Sequence, residues 1–317
     1  MQGVELEPFS DDHVEAAAAL LEQRHARHVE AEPLLPANVN YRSEVETVWK
    51  GEAASGVVAI RHGDVVGYLL GIRRDDAIWG ENVWIEPAGH AVVEPEIVRD
   101  LYRVAAAEWV DEGRSRHYAL VPATDLDLVD AWFRLSFGAQ HAMGIQETPE
   151  RLDSPVTGVE VRRAGPADIE ETMATGSVLS EHQLRSPVFG SYPLPTDEEL
   201  RADVLEELSD AEAATFIAER EGRPVGALVM VPADKSSMHA GLARPERAAL
   251  LGYAATLPEV RGSGAGLALT NAGLAWAREN DYPVVVVDWR ETNLLSSRFW
   301  PARGFRRTFL RLYRSIP

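Results

Sequence analysis

The chain has 317 residues, enough for about two domains, and an ordinary globular composition of 45% hydrophobic and 26% charged residues. It contains no cysteine, which excludes disulfides, a thiolate nucleophile, cysteine-ligated zinc and iron–sulfur clusters. The net charge of -19 disfavours nucleic acid and anionic lipid as partners and favours a cationic or neutral partner.

The first residues of the chain do not look like a targeting signal. They lack the basic segment and the apolar stretch of a signal peptide. No window of the sequence approaches the ~18 to 20 consecutive apolar residues that cross a bilayer. We therefore expect a cytoplasmic protein that does not associate with membranes.

The first half of the chain predicts a mixed α/β pattern. A short strand near residues 4–6 precedes a helix, and residues 56–70 read as two alternating apolar runs around a turn at Gly63, which is typical of a hairpin. A long helix containing Trp109 follows. A buried strand at residues 118–121 and an aromatic segment at 132–137 complete the pattern.

The second half repeats this order. It has a hairpin at residues 215–230, a long helix containing Trp276, a strand at 284–287 and a closing segment at 300–305. The order β-α-β-β-(β)-α-β-α-β therefore occurs twice, which predicts an α/β protein (α+β mixed sheet) built from two related domains.

The stretch 147–158 has two prolines and few apolar residues, which is typical of a linker. We therefore place the domains at residues 1–152 and 153–317.

The strongest local signal is an apolar strand at 248–257, a glycine-rich turn at 258–266, and a helix that begins near Leu267. Glycines let the backbone approach a ligand, and the free N–H groups of a helix start attract an anion, most readily a pyrophosphate. The turn lacks the Lys-Ser/Thr pair of a P-loop and the G-x-G-x-x-G spacing of dinucleotide-binding folds.

Arg261-x-x-Gly264-x-Gly266 resembles the Arg/Gln-x-x-Gly-x-Gly/Ala signature of the GNAT (GCN5-related N-acetyltransferase) superfamily of acyl-CoA-dependent N-acyltransferases. The block from Asn293 to Phe305, an Asn, a short helix, an aromatic residue and a closing Gly-Phe, resembles the second motif of that family. The resemblance covers residues 159–317 by element order. It implies two tandem GNAT-like acyl-CoA N-acyltransferase domains, with acetyl-CoA as the co-substrate of the second and no metal.

The resemblance also implies a site. The strands at 248–257 and 284–287 would part, the pantetheine arm would lie between them, and backbone N–H groups of the turn would hold the pyrophosphate. The residues expected to bind acetyl-CoA are Ala255, Thr256, Leu257, Val260, Arg261, Gly262, Ser263, Gly264, Ala265, Gly266, Asn293 and Ser296. A neutral amine would then attack the thioester directly, with a backbone N–H near Leu257 stabilising the oxyanion.

Two residues are candidates for catalysis. Tyr253 would relay a proton, or it is a half-buried core tyrosine. Asp288, at the end of the second strand, would act on the proton or only orient the acceptor. Trp300 stands where the family often has a tyrosine that protonates the leaving thiolate, so either another group serves or the thiolate leaves without an acid.

Two histidines near this region are less distinctive. In this family His182, beside Glu181, would belong to the acceptor wall, and both residues also fit an exposed helix. His239 is predicted to lie in a loop, and no metal-ligand spacing surrounds it.

The first half places Glu94, Glu96 and Ile97 where the second half has its glycine turn. Two carboxylates repel phosphate, and the Ile97 side chain occupies space that the site needs. We therefore expect a degenerate domain that does not bind CoA and that serves packing or shapes the acceptor site.

The predicted function is transfer of an acetyl group from acetyl-CoA to a primary amine by a monomer or a homodimer. The amine belongs to a small molecule or a peptide, and a cationic acceptor is expected. Two alternatives stay open. One is a non-catalytic acyl-CoA-binding or sensing protein. The other is a different α/β enzyme whose glycine turn binds another nucleotide.

Overall fold

The computed structural model describes residues 3–76, 79–152, 154–190 and 193–317. The chain forms two compact units. Unit 1 consists of Met1–Met143, Gly241–Pro245 and Arg307–Pro317, and unit 2 of Gly144–Ala240 and Glu246–Arg306. The chain first passes from unit 1 to unit 2 after Met143, which lies before the linker predicted at 147–158. The assignment of domains to 1–152 and 153–317 stays a prediction.

Unit 1 is a mixed sheet with helices. Its elements in chain order are β1 (Glu5–Pro8), α1 (Val14–Ala31), α2 (Tyr41–Trp49), β2 (Ala54–Arg61), β3 (Asp64–Asp76), β4 (Gly80–Ile85), β5 (His90–Val92), α3 (Ile97–Asp111), β6 (Arg116–Pro122), α4 (Leu126–Phe133) and the first part of β7 (Gly138–Glu147). The strand order is β1-β2-β3-β4-β6, and β5 pairs with β3. β4 and β6 run parallel, from Asn82↔Arg116 to Ile85↔Ala119.

In the core of unit 1 a tryptophan packs directly on a glycine of the sheet. Trp109 on α3 is fully buried, and its Nε1 donates to Ser55 Oγ at 2.9 Å. A Cβ atom at Gly71 of β3 would lie 2.4 Å from Trp109 Cζ2. The indole therefore packs directly on the backbone of the sheet, which only glycine allows.

Unit 2 has the same kind of architecture. Its elements are β8 (Glu160–Arg163), α5 (Ile169–Gly176), α6 (Val178–Gln183), α7 (Asp197–Ser209), β9 (Ala214–Arg220), β10 (Arg223–Pro232), β11 (Ala248–Thr256), α8 (Ala265–Glu279), β12 (Val284–Arg290) and α9 (Ser296–Ala302). The strand order is β12-β11-β10-β9-β8. The last residues of β7 also belong to this unit, where a Cβ at Gly144 would lie 2.4 Å from Trp289 Cζ3 of β12.

The final strand, β13 (Arg306–Ser315), pairs antiparallel with β6 and so completes the sheet of unit 1. Its register runs from Phe309↔Pro122 to Ser315↔Arg116. The last strand of the chain therefore belongs to the unit that begins the chain.

The mixed α/β class, the repeated element order and both hairpins are confirmed. Helix α8 begins at Ala265, two residues before the predicted start, because Gly264 with φ 90° ends the turn and leads directly into the helix. No helix in the described ranges combines the length and apolar character needed to cross a membrane.

Candidate functional site

Strands β11 and β12 pair along only part of their lengths. Their parallel register runs from Ala248↔Val284 to Leu251↔Val287, whereas β11 continues to Thr256 and β12 to Arg290. Residues 253–257 are half-buried although β11 is an inner strand of the sheet. The two strands therefore part after Leu251, and a gap opens at their carboxyl ends.

A β-bulge marks the point where the gap begins. Val229 of β10 pairs with Tyr253 and Met230 pairs with Leu251, which leaves Gly252 as the extra residue. Gly252 is exposed, and a Cβ placed on it would meet no atom within 4 Å. The first residue beyond the pairing therefore borders open space.

The bulge also decides which backbone groups face the gap. Leu257 N–H donates to Val225 O at 2.9 Å, so this residue turns its backbone towards β10. Because successive residues of a strand point their backbone groups to opposite sides, those of Ala254 and Thr256 face away from β10 and into the gap. The N–H of Leu257 itself, near which the oxyanion donor was expected, is already used.

The glycine-rich turn leads from β11 to the start of α8. Val260 N–H and Arg261 N–H donate to Leu257 O and Pro258 O at 3.2 and 3.3 Å, within a short 3-10 turn. Within the described part of the chain no hydrogen bond is made by the N–H groups of Gly262, Gly264, Ala265 and Gly266. Of the six N–H groups predicted to hold a pyrophosphate, four therefore lack a partner among the residues that the structure describes.

Other features of the turn also suit an anionic ligand. Gly262 and Gly264 have φ of 80° and 90°, a conformation that directs successive N–H groups to one side. Ser263 Oγ is buried and has no hydrogen-bond partner among the described residues. The side chain of Val156 lies against Gly264, and a Cβ there would be 2.5 Å from Val156 Cγ1. The turn therefore combines unused donors with close backbone packing, which fits the diphosphate of CoA.

Asn293 lies at the start of α9, beyond the end of β12. It is buried, and its Oδ1 accepts from Leu295 N–H at 3.1 Å and Ser296 N–H at 3.4 Å. His182 Nε2 of α6 donates to the same oxygen at 3.2 Å. Asn293 therefore accepts from two backbone N–H groups where α9 begins and ties α6 to them, while Ser296 is the first residue of the helix.

Tyr253 is held by helix α5. Its hydroxyl donates to Thr175 O at 2.5 Å and to Gly176 O at 3.2 Å. Burial raises the pKa of Tyr253 far above its ordinary value. Both features disfavour ionisation of this phenol and give it a clear role in fixing the end of α5.

Asp288 is the first residue of β12 beyond the paired segment. Its side chain is 27% exposed, and Oδ1 lies 3.8 Å from Nε2 of His239, which is buried. The sequence placed His239 in a loop but gave no sign that this loop folds back towards β12. Glu181, by contrast, is exposed and accepts from Ser177 Oγ.

Trp300 is a core residue of α9. It is 6% exposed, with its ring centroid 5.6 Å from that of Phe305 and 4.9 Å from that of Phe299. An indole in this setting gives up no proton to a leaving group.

Unit 1 closes the corresponding space with side chains. After β4 the chain turns into β5, and His90 Nε2 donates to Leu120 O of β6 at 3.0 Å. The guanidinium of Arg24 donates to Pro87 O at 2.6 Å and to His90 O. Glu94 pairs with Arg61, and Glu96 pairs with Arg134. In this unit an imidazole and a guanidinium therefore bond to backbone carbonyls beyond the paired ends of β4 and β6.

The buried imidazoles of unit 1 predict acid sensitivity. Burial lowers the pKa of His28 and of His90 to about 3. The unfolded chain protonates these groups near pH 6.5 and the folded chain only near pH 3, so the free energy of unfolding falls as pH drops through this window, by up to about 1.4 kcal/mol per pH unit for each group. We expect His90→Gln to flatten the dependence of the melting temperature on pH between about 7 and 5.

The control for this prediction is His62→Asn, at an exposed turn position with φ 57° that asparagine tolerates. It should leave the slope of melting temperature against pH unchanged. A His90 variant with the slope of the unmodified protein would contradict the prediction.

Known proteins resemble this chain both in sequence, over part of its length, and in fold. Residues 179–305 match the model of the Acetyltransferase (GNAT) family. The fold is similar to that of a GCN5-related N-acetyltransferase from Sphaerobacter thermophilus, with a TM-score of 0.59 and 14% identity over 99% of this chain and 96% of that one. A search of the curated proteins found no match to the sequence.

Two further structures share the fold. A tandem GNAT protein from the clavulanic acid biosynthesis pathway gives a TM-score of 0.50 and 16% identity over 99% of this chain and 98% of that one. A glucosamine N-acetyltransferase region of a fungal multi-domain β-N-acetylglucosaminidase gives a TM-score of 0.57 and 14% identity, over 98% of this chain and 38% of that one. The chain therefore has a fold similar to that of a tandem GNAT protein, and its residues 179–305 match the model of the GNAT acetyltransferase family.

Proposed function

We propose that unit 2 transfers an acetyl group from acetyl-CoA to a primary amine. The observation that carries this proposal is the parting of β11 and β12 after Leu251, next to a turn with four unused N–H groups. A gap between two strands provides backbone groups for an extended amide-containing arm, and the turn provides donors for a diphosphate at its end. Both ends of one ligand are thereby accommodated.

In this proposal the N–H groups of Gly262, Gly264, Ala265 and Gly266, with Ser263 Oγ, hold the diphosphate. Arg261 is exposed beside them and adds positive charge. The arm runs along β11 past Ala255 and Leu257, while Asn293 and Ser296 border it from the β12 side.

The gap-facing backbone of β11 supplies the catalytic donors. Thr256 pairs with the amide groups of the arm, and Ala254 N–H stabilises the oxyanion that forms when the amine attacks the thioester carbonyl. The new C–N bond forms and the C–S bond breaks without a covalent enzyme intermediate. Because Trp300 is buried and donates no proton, the thiolate leaves without a specific acid, which its ordinary pKa near 8.5 allows.

The acceptor is an amine that carries positive charge. The chain has a net charge of -19, most of it in the first half of the sequence, and such a field attracts cations. A polyamine, an aminoglycoside, an amino sugar and a peptide with a free amino terminus represent this class. Unit 1, whose gap is filled by His90 and Arg24, is proposed to bind no CoA.

The test is an acetyl-transfer assay with acetyl-CoA as the donor, in which release of the CoA thiol is measured. The acceptors are spermidine, kanamycin, glucosamine and a lysine-containing peptide. We expect turnover with at least one cationic amine. Thermal stabilisation by acetyl-CoA without any turnover would instead favour an acyl-CoA sensor, the alternative that Trp300 suggests. Stabilisation by NAD or ATP but not by acetyl-CoA would contradict the proposal. The cytoplasmic location and the monomeric or homodimeric state stay predictions.

A further inference from the structure

A buried imidazole lies beside Asp288, the first residue of β12 beyond its pairing with β11. His239 is 1% exposed, although Ser237 and Ala240 beside it are exposed. Ser236 Oγ accepts from the N–H groups of Met238 and His239 at 3.2 and 3.3 Å, which fixes the loop. The loop therefore turns one imidazole into the protein.

Neither ring nitrogen of His239 has a hydrogen-bond partner among the described residues. Burial of a polar group without a partner is costly and rare, so such a group requires a reason. In the described part of the chain, the charged group within 4 Å of this ring is the Asp288 carboxylate, with Oδ1 3.8 Å from Nε2.

Asp288 lies at the start of the gap, close to the stretch of β11 where the proposed transfer takes place. It follows the last pair, Leu251↔Val287, and therefore stands level with the bulge at Gly252. Arg290, two residues along the same face of β12, is buried and donates to Gln183 Oε1 at 2.9 Å. A separation of 3.8 Å is long for a hydrogen bond, and catalytic hydrogen bonds commonly tighten only when substrate is bound.

We propose that Asp288 is a catalytic residue that binds the ammonium group of the acceptor, and that His239 is the positioning residue that takes up the proton this group gives up. The inference rests on the proposed acetyl transfer. It assigns the proton path of that site to a carboxylate backed by an imidazole, instead of to Tyr253, whose hydroxyl is bound to the carbonyls of Thr175 and Gly176.

Two protons leave the acceptor nitrogen during the transfer. The ammonium group gives one proton to Asp288, which passes it to Nε2 of His239. The neutral amine nitrogen then forms the C–N bond, and the C–S bond breaks with its electron pair moving to sulfur. The second proton of the nitrogen leaves as the tetrahedral intermediate collapses and protonates the sulfur. The imidazolium later returns its proton to solvent through Asp288.

The physical advantage of the pair lies in the different basicities of its members. A carboxylate attracts an ammonium ion but is a weak base, with an ordinary pKa near 3.9. An imidazole is the side chain that ordinarily gains and loses a proton between about pH 5 and pH 8. Asp288 therefore provides attraction and His239 provides proton affinity.

The test compares His239→Gln, Asp288→Asn and the double variant with the unmodified protein. The readout is kcat/KM for the best amine of the panel between about pH 6 and pH 9. We expect His239→Gln to lower kcat about 100-fold. It should also remove the acidic limb of the profile, which is the fall of kcat/KM towards low pH, and leave stabilisation by acetyl-CoA unchanged. Asp288→Asn should also raise KM for the amine. His62→Asn, in the exposed turn of unit 1, is the control for loss of an imidazole.

Because the two side chains act in series, the double variant should be no slower than Asp288→Asn alone. Losses that multiply, or a His239→Gln variant that keeps the acidic limb, would overturn the inference while leaving the proposed function intact. An unmodified protein that acetylates no amine of the panel would overturn the proposed function and the inference with it. If His239→Gln fails to fold, an unaltered acidic limb in Asp288→Asn overturns the inference on its own.

Discussion

The double substitution Arg261→Glu with Gly264→Val is expected to abolish stabilisation of the protein by acetyl-CoA. Gly264 has φ 90°, where a β-branched residue is strained, and its added side chain would collide with Val156. Both effects displace the unused N–H groups at the start of α8, while the carboxylate introduced in place of the Arg261 guanidinium repels the diphosphate. At about 100 times Kd, acetyl-CoA should stabilise the unmodified protein by about 2.7 kcal/mol, and the double variant by nothing measurable.

The matched control separates backbone strain from loss of the site. Gly222, in the turn between β9 and β10, also has a positive φ, 70°, and a Cβ there would meet no atom within 4 Å. Gly222→Val should therefore lower the melting temperature yet keep the full upward shift with acetyl-CoA in a thermal titration. Equal shifts in the double variant and the unmodified protein would remove the glycine turn from the proposed site.

Gly252→Leu is expected to stop acetyl transfer while the protein stays folded. Gly252 is the bulged residue at the start of the gap, and a side chain there would extend into open space. In the proposed site a leucine would occupy the place where thioester and amine meet, and a displacement of about 1 Å at a reacting centre costs about 100-fold in rate. We expect kcat/KM to fall at least about 100-fold, with the melting temperature nearly unchanged.

The turn that is proposed to hold the diphosphate lies at the other end of the gap, so the Gly252 variant should still be stabilised by free CoA, which lacks the acetyl group. Gly165→Leu is the matched control, since a Cβ at Gly165 also meets no atom within 4 Å. It should leave turnover unaltered. A Gly252→Leu enzyme with full activity would place the reaction elsewhere.

The sequence predicts the site best where local chemistry decides the structure. Gly262 and Gly264 have positive φ, a backbone requirement that can be recognised from the spacing of the glycines. The apolar periodicity of the two hairpins and of the long helices likewise indicates the repeated fold, because it can be recognised in each half separately.

Features that depend on register or on distant contacts could not be predicted. The bulge at Gly252 is a property of the pairing between β10 and β11, and it determines that Ala254 and Thr256 face the gap while Leu257 bonds to Val225. The approach of His239 to Asp288 joins residues 49 positions apart through the path of a loop that carries no periodic pattern. The filling of the gap in unit 1 likewise depends on Arg24, far from the β4–β6 region in sequence.

The pairing of β13 with β6 has a consequence for biosynthesis. Until residues 306–315 leave the ribosome, β6 stays an outer strand of a partial sheet, and its apolar segment 117–122 has no neighbour on one side. Most of unit 1 is therefore translated before unit 2, but its sheet is completed only after unit 2 has been translated. During that delay its open edge is the part of the nascent chain most exposed to mispairing, and a chaperone that shields extended apolar segments would act there.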